Sequence, residues 1–377
     1  MVIGFDASRA FTKEKTGTEN YSYQLLLYLA KIDHKNQYIL YLRPNNATIV
    51  ATNVFPENFQ FKIINWPRFW TQGGLALQTF TDNLDVLFVP SHTLPLFRKP
   101  GLKTVMTVHD LGAEYLPSMH QLKQKLYLDF ITRFQLKSAT KLIAVSKATE
   151  ADLVKKINIP ANNIEVIYEG IDNQLFRPLK GEILVDSLNK FDLKQGEYFL
   201  FVGTVQPRKN LCRLIEAFGK SDLLSHSEFS DIKLVFVGSK GWLSDEIYAL
   251  PKKLGIEDRV KFLGHVDNAD LPALYCGAAA LVYPSLFEGF GLPILEAFAC
   301  GCPVLTSNIS SMPEVAGDAA LLVNPVSVEE ITDGMIELVS DRDLRERLIK
   351  QGFVQAKKFS WEKCAKETLR VLENLKF

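Results

Sequence analysis

Short apolar-rich runs of β-forming residues recur along the chain, at 2–5, 38–42, 86–89, 103–108, 141–145 and 165–167, and again at 198–202, 233–237, 260–263, 279–283 and 303–306. The stretches between them carry the wider apolar spacing of amphipathic helices. A strand that is apolar on both faces must be covered on both faces, so continuous runs alternating with helices predict parallel sheets between helix layers. The series occurs twice. Between its two halves lie residues 172–197, where Pro178, Gly181 and Gly196 read as a linker with an irregular entry. The expectation is therefore two doubly wound parallel-sheet α/β domains, residues 1–175 and 176–358, and a C-terminal segment 359–377 that turns helical after Ser360. Open α/β sheets receive ligands at the carboxyl ends of their strands, so a cleft between two such domains is the expected site.

Composition narrows the function classes. A chain of 377 residues with 47% apolar content can bury more than one core. Its 43 Lys and Arg balance 43 Asp and Glu, so it lacks the cationic field that binds nucleic acid by counterion release, and no nucleic-acid partner is expected. A small basic excess lies in the first 175 residues. The five cysteines, Cys212, Cys276, Cys300, Cys302 and Cys364, form no Cys-x2-Cys pair and fit a reducing compartment. No basic leader precedes the first strand, and the longest apolar-rich stretch, 271–283, is short and contains Pro272. A cytoplasmic protein, peripheral to a membrane at most, is the reading.

Chemistry concentrates where predicted strands end. After 2–5, Thr16-Gly17-Thr18-Glu19-Asn20 leads into a helical run. Gly17 permits backbone approach and a helix start offers amides to an anion, although glycines before helices also serve as plain turns. After 198–202 comes Gly203-Thr204-Val205-Gln206-Pro207-Arg208-Lys209-Asn210. Here a guanidinium fork and an ammonium can neutralise a diphosphate together. Two cations at a helix start oppose the helix dipole unless an anion is close, which favours a functional role. After 279–283 comes Pro284-Ser285-Leu286-Phe287-Glu288-Gly289-Phe290-Gly291-Leu292-Pro293-Ile294-Leu295-Glu296-Ala297. Pro293 suits the first turn of a helix that would carry Glu296 about one turn in, with Glu288 at its mouth. Such carboxylates accept from the paired hydroxyls of a polyol, or alternatively partner the helix dipole; apolar Leu295, Ala297, Phe298 and Ala299 make Glu296 costly to bury unpaired. His109 ends the run 103–108 and is equally compatible with structure and chemistry. Gly264-His265-Val266 can offer backbone to a base, with a structural role the alternative.

Assembled, these residues resemble the retaining nucleotide-sugar glycosyltransferases of family 4, which have the GT-B fold of two Rossmann-like domains facing across a cleft. The likeness runs through the early glycine turn, the strand-end histidine, Tyr168-Glu169-Gly170-Ile171-Asp172, Gly-Thr-x-x-Pro-Arg-Lys-Asn, the spaced glutamates and Pro313-Glu314-Val315. Within the family it is similar to bacterial mannosyltransferases that use GDP-mannose. The resemblance implies a hexosyl transfer from a nucleoside diphosphate sugar to a glycan or lipid-linked glycan, with no metal and no further cofactor. Arg208, Lys209 and His109 with Glu288 would be the catalytic set, and Gly17, Gly203, Val266, Phe290, Gly291, Leu292 and Glu296 would join Arg208, Lys209 and Glu288 in holding the donor. Arg208 and Lys209 would take the diphosphate, Glu296 the ribose hydroxyls and Glu288 the sugar hydroxyls. The amides of Phe290, Gly291 and Leu292 would face the sugar or distal phosphate. His109 would orient the 6-hydroxyl or turn its carbonyl to the reacting face. Thr16 stands where relatives often have a second glycine, which weakens the expected amide contact there. Domain closure would bring Gly17 and His109 to Arg208 and Glu288, and the terminal helix would cross back to the first domain.

The acceptor is harder to read. The aromatic run 55–70, with Phe59, Phe61, Trp66, Phe69 and Trp70, suits core packing or contact with a lipid or sugar ring. The basic amphipathic run 120–141 suits a solvated domain helix or an anionic membrane surface. Asp341-Arg342-Asp343 matches a short metal-binding pattern but is assigned no role. Two rival readings use the same phosphate contacts: a nucleotide-sugar 2-epimerase and an inert nucleotide-sugar binder. A dehydrogenase is disfavoured because no strand ends in Gly-x-Gly-x-x-Gly.

Overall fold

A computed structural model describes residues 1–12, 17–46, 54–91, 93–111, 133–220 and 231–375. The chain divides into two compact units, residues 1–170 with 360–377, and residues 171–359. The division thus falls ahead of the glycine- and proline-bearing stretch, and that stretch contains a helix, Glu182–Asn189, that begins at Gly181.

The first unit is built on seven parallel strands: β1 (Val2–Asp6), β2 (Gln37–Leu42), β3 (Phe59–Ile63), β4 (Val86–Val89), β5 (Lys103–Val108), β6 (Lys141–Ala144) and β7 (Ile164–Val166). Their order in the sheet is β3-β2-β1-β4-β5-β6-β7. The second unit has six, β8 (Tyr198–Val202), β9 (Lys233–Val237), β10 (Val260–Gly264), β11 (Ala280–Tyr283), β12 (Val304–Ser307) and β13 (Leu321–Val323), also all parallel. Their order is β10-β9-β8-β11-β12-β13. The central strands are buried along their whole length, β4 and β8 among them, because helices cover both faces.

Both sheets run outward in one direction from their first strand and then in the other. The chain therefore reverses between β1 and β4 in one and between β8 and β11 in the other, and the crevice left where neighbouring connections depart to opposite faces is where such sheets take ligands. β3 and β13 are not among the apolar runs read from the sequence. Both are edge strands with partly exposed faces, so neither is continuously apolar.

The C-terminal helix Trp361–Asn374 packs in the first unit against the helix Gly17–Ile32. Trp361 is fully buried, edge-on to Tyr21 with ring centroids 5.9 Å apart. Gly170 makes this docking feasible: a Cβ there would collide with the backbone of Ser360 and Trp361. Asp341 accepts from the Leu344 amide and caps the helix Arg342–Ala356, which accounts for the first acid of Asp341-Arg342-Asp343 without a ligand.

Candidate functional site

In the second unit the two segments singled out by sequence meet at the reversal point. β8 runs into Gly203, whose φ of 147° suits glycine, and then a tight turn Pro207–Lys209. Asn210 follows in the left-handed region at φ 63°, and its side-chain amide donates to the carbonyls of Pro284 (3.0 Å) and Pro325 (2.6 Å). The Leu286 amide donates to the Arg208 carbonyl at 2.9 Å. These bonds clamp the turn after β8 to the loop after β11.

The clamp joins three charged side chains. Lys209 Nζ lies 2.6 Å from Glu288 Oε1 and donates to the Tyr283 hydroxyl at 2.8 Å. Arg208 Nη1 lies 3.2 Å from Glu288 Oε2 and donates to the Phe287 carbonyl at 3.2 Å. Lys209 and Glu288 are each only 6% exposed, so both ions are largely desolvated. Burial pushes the Glu288 carboxyl up, but the charges of Lys209 and Arg208 outweigh it and hold it below the usual carboxylate range. The sequence suggested that two cations there needed an anion, and Glu288 is one. One carboxylate against two cations still leaves net positive charge at the ends of β8 and β11.

Behind Glu288 the backbone is held by serines that sequence reasoning did not single out. Ser310 donates to the Glu288 carbonyl at 2.7 Å, and the single Ser311 hydroxyl proton is shared between the carbonyls of Phe290 (2.7 Å) and Glu288 (3.0 Å). Gly291 then enters the left-handed region at φ 112° and starts the helix Leu292–Cys300, with Pro293 in its first turn. The first amides of a helix have no intrahelical acceptor and carry the positive end of its dipole. Phe290, Gly291 and Leu292 thus stand beside the charged triad.

Glu296 lies one turn into that helix and is partly buried. Its partner, which the sequence did not reveal, is the buried Tyr275 hydroxyl, donating to Oε2 at 2.6 Å. Burial nevertheless pushes the Glu296 carboxyl up to about 7, since one hydroxyl replaces little of the lost water. Val266 follows β10 and is buried, while His265 is exposed.

In the first unit, His109 follows β5. Its Nδ1 is 3.2 Å from Glu169 Oε1 and its Nε2 is 3.0 Å from the Pro90 carbonyl at the end of β4. Both neighbours are acceptors, so the doubly protonated ring satisfies both. Burial pushes the imidazole down, but the hydrogen bond and charge of Glu169 outweigh it and the pKa is raised. The Thr149 hydroxyl donates to the His109 carbonyl at 3.3 Å, and Tyr21 stands edge-on to the ring at 4.7 Å. Glu169, quoted in Tyr168-Glu169-Gly170 without a role, is thus the fourth buried ionic group of interest. Gly17 opens the helix Gly17–Ile32, and among the described residues nothing lies within 4 Å of where its Cβ would stand. Thr16 lies outside the described residues, as does the run 120–141 up to residue 132. No described helix is long and apolar enough to cross a membrane.

Comparison with known proteins agrees with this geometry. Residues 15–175 match the model for Glycosyltransferase Family 4, and residues 187–355 match that for Glycosyl transferases group 1. The O-antigen chain mannosyltransferase B of Escherichia coli is 34% identical over 273 residues, 72% of this chain and 71% of the relative. Sucrose-phosphate synthase from Thermosynechococcus elongatus superposes with a TM-score of 0.78 at 20% identity, over 99% of this chain and 98% of that one. Anabaena Alr3699/HepE, solved in complex with UDP-glucose, superposes with a TM-score of 0.75 at 16% identity, over 99% of each chain. The chain belongs to the family 4 glycosyltransferases and has their GT-B fold.

Proposed function

We propose that this glycosyltransferase moves a mannosyl group, with retention at the anomeric carbon and without a metal, from GDP-mannose to a hydroxyl of a glycan or lipid-linked glycan. The observation that carries the donor assignment is the net-positive Arg208–Glu288–Lys209 triad at the strand reversal of the second unit, beside a helix start. Mannose is supported by the 34% identity to an O-antigen mannosyltransferase, and a nucleoside diphosphate sugar by the UDP-glucose in a structural relative.

In this reading the diphosphate bridges Arg208 and Lys209 and meets the amides of Phe290, Gly291 and Leu292. As the bond from anomeric carbon to phosphate breaks, negative charge grows on the departing diphosphate. Cations fixed there stabilise that charge more than the ground state, which lowers the barrier. The acceptor hydroxyl attacks the face that the leaving group vacates and gives its proton to a phosphate oxygen. Glu288, with both oxygens already on the cations, accepts from sugar hydroxyls through its remaining lone pairs, and Glu296 accepts from the ribose. His109, whose protonated form Glu169 favours, keeps both ring N–H groups on Glu169 and the Pro90 carbonyl and so acts through its positive charge. Gly17 admits the donor to a helix start. A lipid-borne acceptor would bring the chain to the cytoplasmic face of a membrane.

The test is a thermal-shift panel of GDP, UDP, ADP and their sugar conjugates. A ligand that binds only the folded state raises the melting temperature by mass action. The expected outcome is the largest shift with GDP-mannose, followed by mannosyl transfer on adding acceptor. A larger shift with UDP or ADP conjugates would reassign the donor, and an altered free nucleotide sugar would point to an epimerase.

A further inference from the structure

The first unit contains a cavity of about 560 Å³ at the carboxyl ends of the edge strand β3 and its neighbour β2, within the size range of small-ligand sites. Trp66, Phe69, Arg43, Asn45 and Asn65 line it. All five are exposed, Trp66 at 42% and Phe69 at 82%, whereas the neighbouring Trp70 is buried and donates to the Ile64 carbonyl at 3.3 Å. Large aromatics are costly to leave in water, and here two of them line a pocket that also presents amides, a guanidinium and the prolines Pro44 and Pro67.

Three features show that the platform is built and not merely uncovered. The Trp66 indole lies on glycine: a Cβ at Gly73 would come within 2.5 Å of its Nε1, and one at Gly74 within 2.9 Å of its Cβ. One side of the ring therefore rests on backbone. Those glycines belong to a π-turn, Thr71–Leu75, in which the Leu75 amide donates to the Trp70 carbonyl at 2.8 Å, a local insertion that costs regular helix geometry. Phe69 stands in the left-handed region at φ 53°, a strained conformation for a bulky side chain, and its carbonyl accepts from Gly73 at 2.7 Å. The rim is fixed as well. Asn46 donates to the Phe11 carbonyl at 2.7 Å and holds the turn that carries Asn45, while the Arg43 guanidinium stacks 5.3 Å from the Trp70 ring centre.

We propose that this cavity is a saccharide subsite that takes a pyranose of the acceptor glycan. An aromatic face backed by glycine suits the apolar C–H face of a pyranose. The Asn45 and Asn65 amides and the Arg43 guanidinium supply donors and acceptors for its equatorial hydroxyls. The subsite rests on the glycosyltransferase reading for the identity of the sugar, but its binding is measurable without turnover.

The test is calorimetric titration of the full chain with an α-linked mannotriose, with and without saturating GDP. Saturable binding is expected, weakened at least tenfold by Trp66→Ala and several-fold by Asn45→Ala, an exposed position whose loss does not threaten the fold. Trp242→Ala, on the second unit, leaves it unchanged, and GDP does not displace the trisaccharide. In transfer assays Trp66→Ala raises the acceptor KM and leaves the donor KM alone. The subsite is overturned if the trisaccharide fails to bind at millimolar concentration, if binding survives both pocket variants, if GDP displaces it, or if Trp66 is quenched by anionic phosphatidylglycerol vesicles and not by saccharide. If the trisaccharide binds at Trp66 and no nucleotide sugar binds at all, the subsite stands and the transferase reading falls. If transfer proceeds and Trp66→Ala is silent, the reverse holds.

Discussion

Glu169 and His109 form a buried ion pair in the first unit, and their linkage has a defined sign. The imidazole is raised above its ordinary value, so the stability it gains from Glu169 is fully present below about pH 6.5 and is lost as pH rises through the folded value. If protonated His109 assists transfer, Glu169→Gln removes the charge that sustains it. The basic limb of the kcat profile should then move toward acid. An unchanged limb would show that His109 does not act as a cation. Glu296 has the opposite economy. Its carboxyl is raised from 4.5 to about 7 with one hydroxyl partner, so the folded protein is destabilised as pH climbs through that range and most above it. Glu296→Gln should therefore stabilise the chain at pH 8 by on the order of 2 kcal/mol, an advantage that fades toward pH 4.5, while weakening donor binding about tenfold. A variant less stable at pH 8, or one with full donor affinity, would contradict a carboxylate kept for its ligand.

Elements show where sequence patterning reads well and where physics hides the answer. Interior strands are apolar on both faces, so β4, β5 and β8 stand out in the sequence at the boundaries they have in the structure. Edge strands are half wet: β3, Phe-Gln-Phe-Lys-Ile, alternates inside a run read as an aromatic cluster, and β13 is three residues long. Of that run, Phe59 and Trp70 lie in the core, as the packing reading expects, whereas Trp66 and Phe69 are exposed. Chemistry at strand ends was legible because Pro207, Gly291 and the charges stand together in sequence. The partners Tyr275, Tyr283, Ser310 and Ser311 were not, since a lone hydroxyl carries no periodic signal and only the fold brings it near. Gly170 has a plain structural role that its motif obscured. Gly170→Ala should destabilise by about 3 kcal/mol or more, because backbone, not a flexible side chain, stands in the way of the methyl group. Since Trp361 packs on Tyr21 and Tyr21 on His109, activity should fall with stability. A melting curve that matches wild type would refute the docking of the terminal helix.

At the scale of the molecule, one strand order serves twice, and each unit places charged chemistry beside its own reversal: His109 against the end of β4, and the triad between β8 and β11. The second of these carries the account. Two cations and one carboxylate, largely buried, hold a positive charge that a diphosphate would neutralise, and the serines, Asn210 and the proline carbonyls fix it in place before any ligand arrives. Such preorganisation is what a departing diphosphate requires. The most direct measurement is a crystal structure of the chain with GDP-mannose or GDP. The account predicts phosphate oxygens within hydrogen-bonding distance of Arg208, Lys209 and the amides of Phe290, Gly291 and Leu292, with the ribose on Glu296. A nucleotide bound elsewhere, with Arg208 and Lys209 still turned only to Glu288, would contradict it.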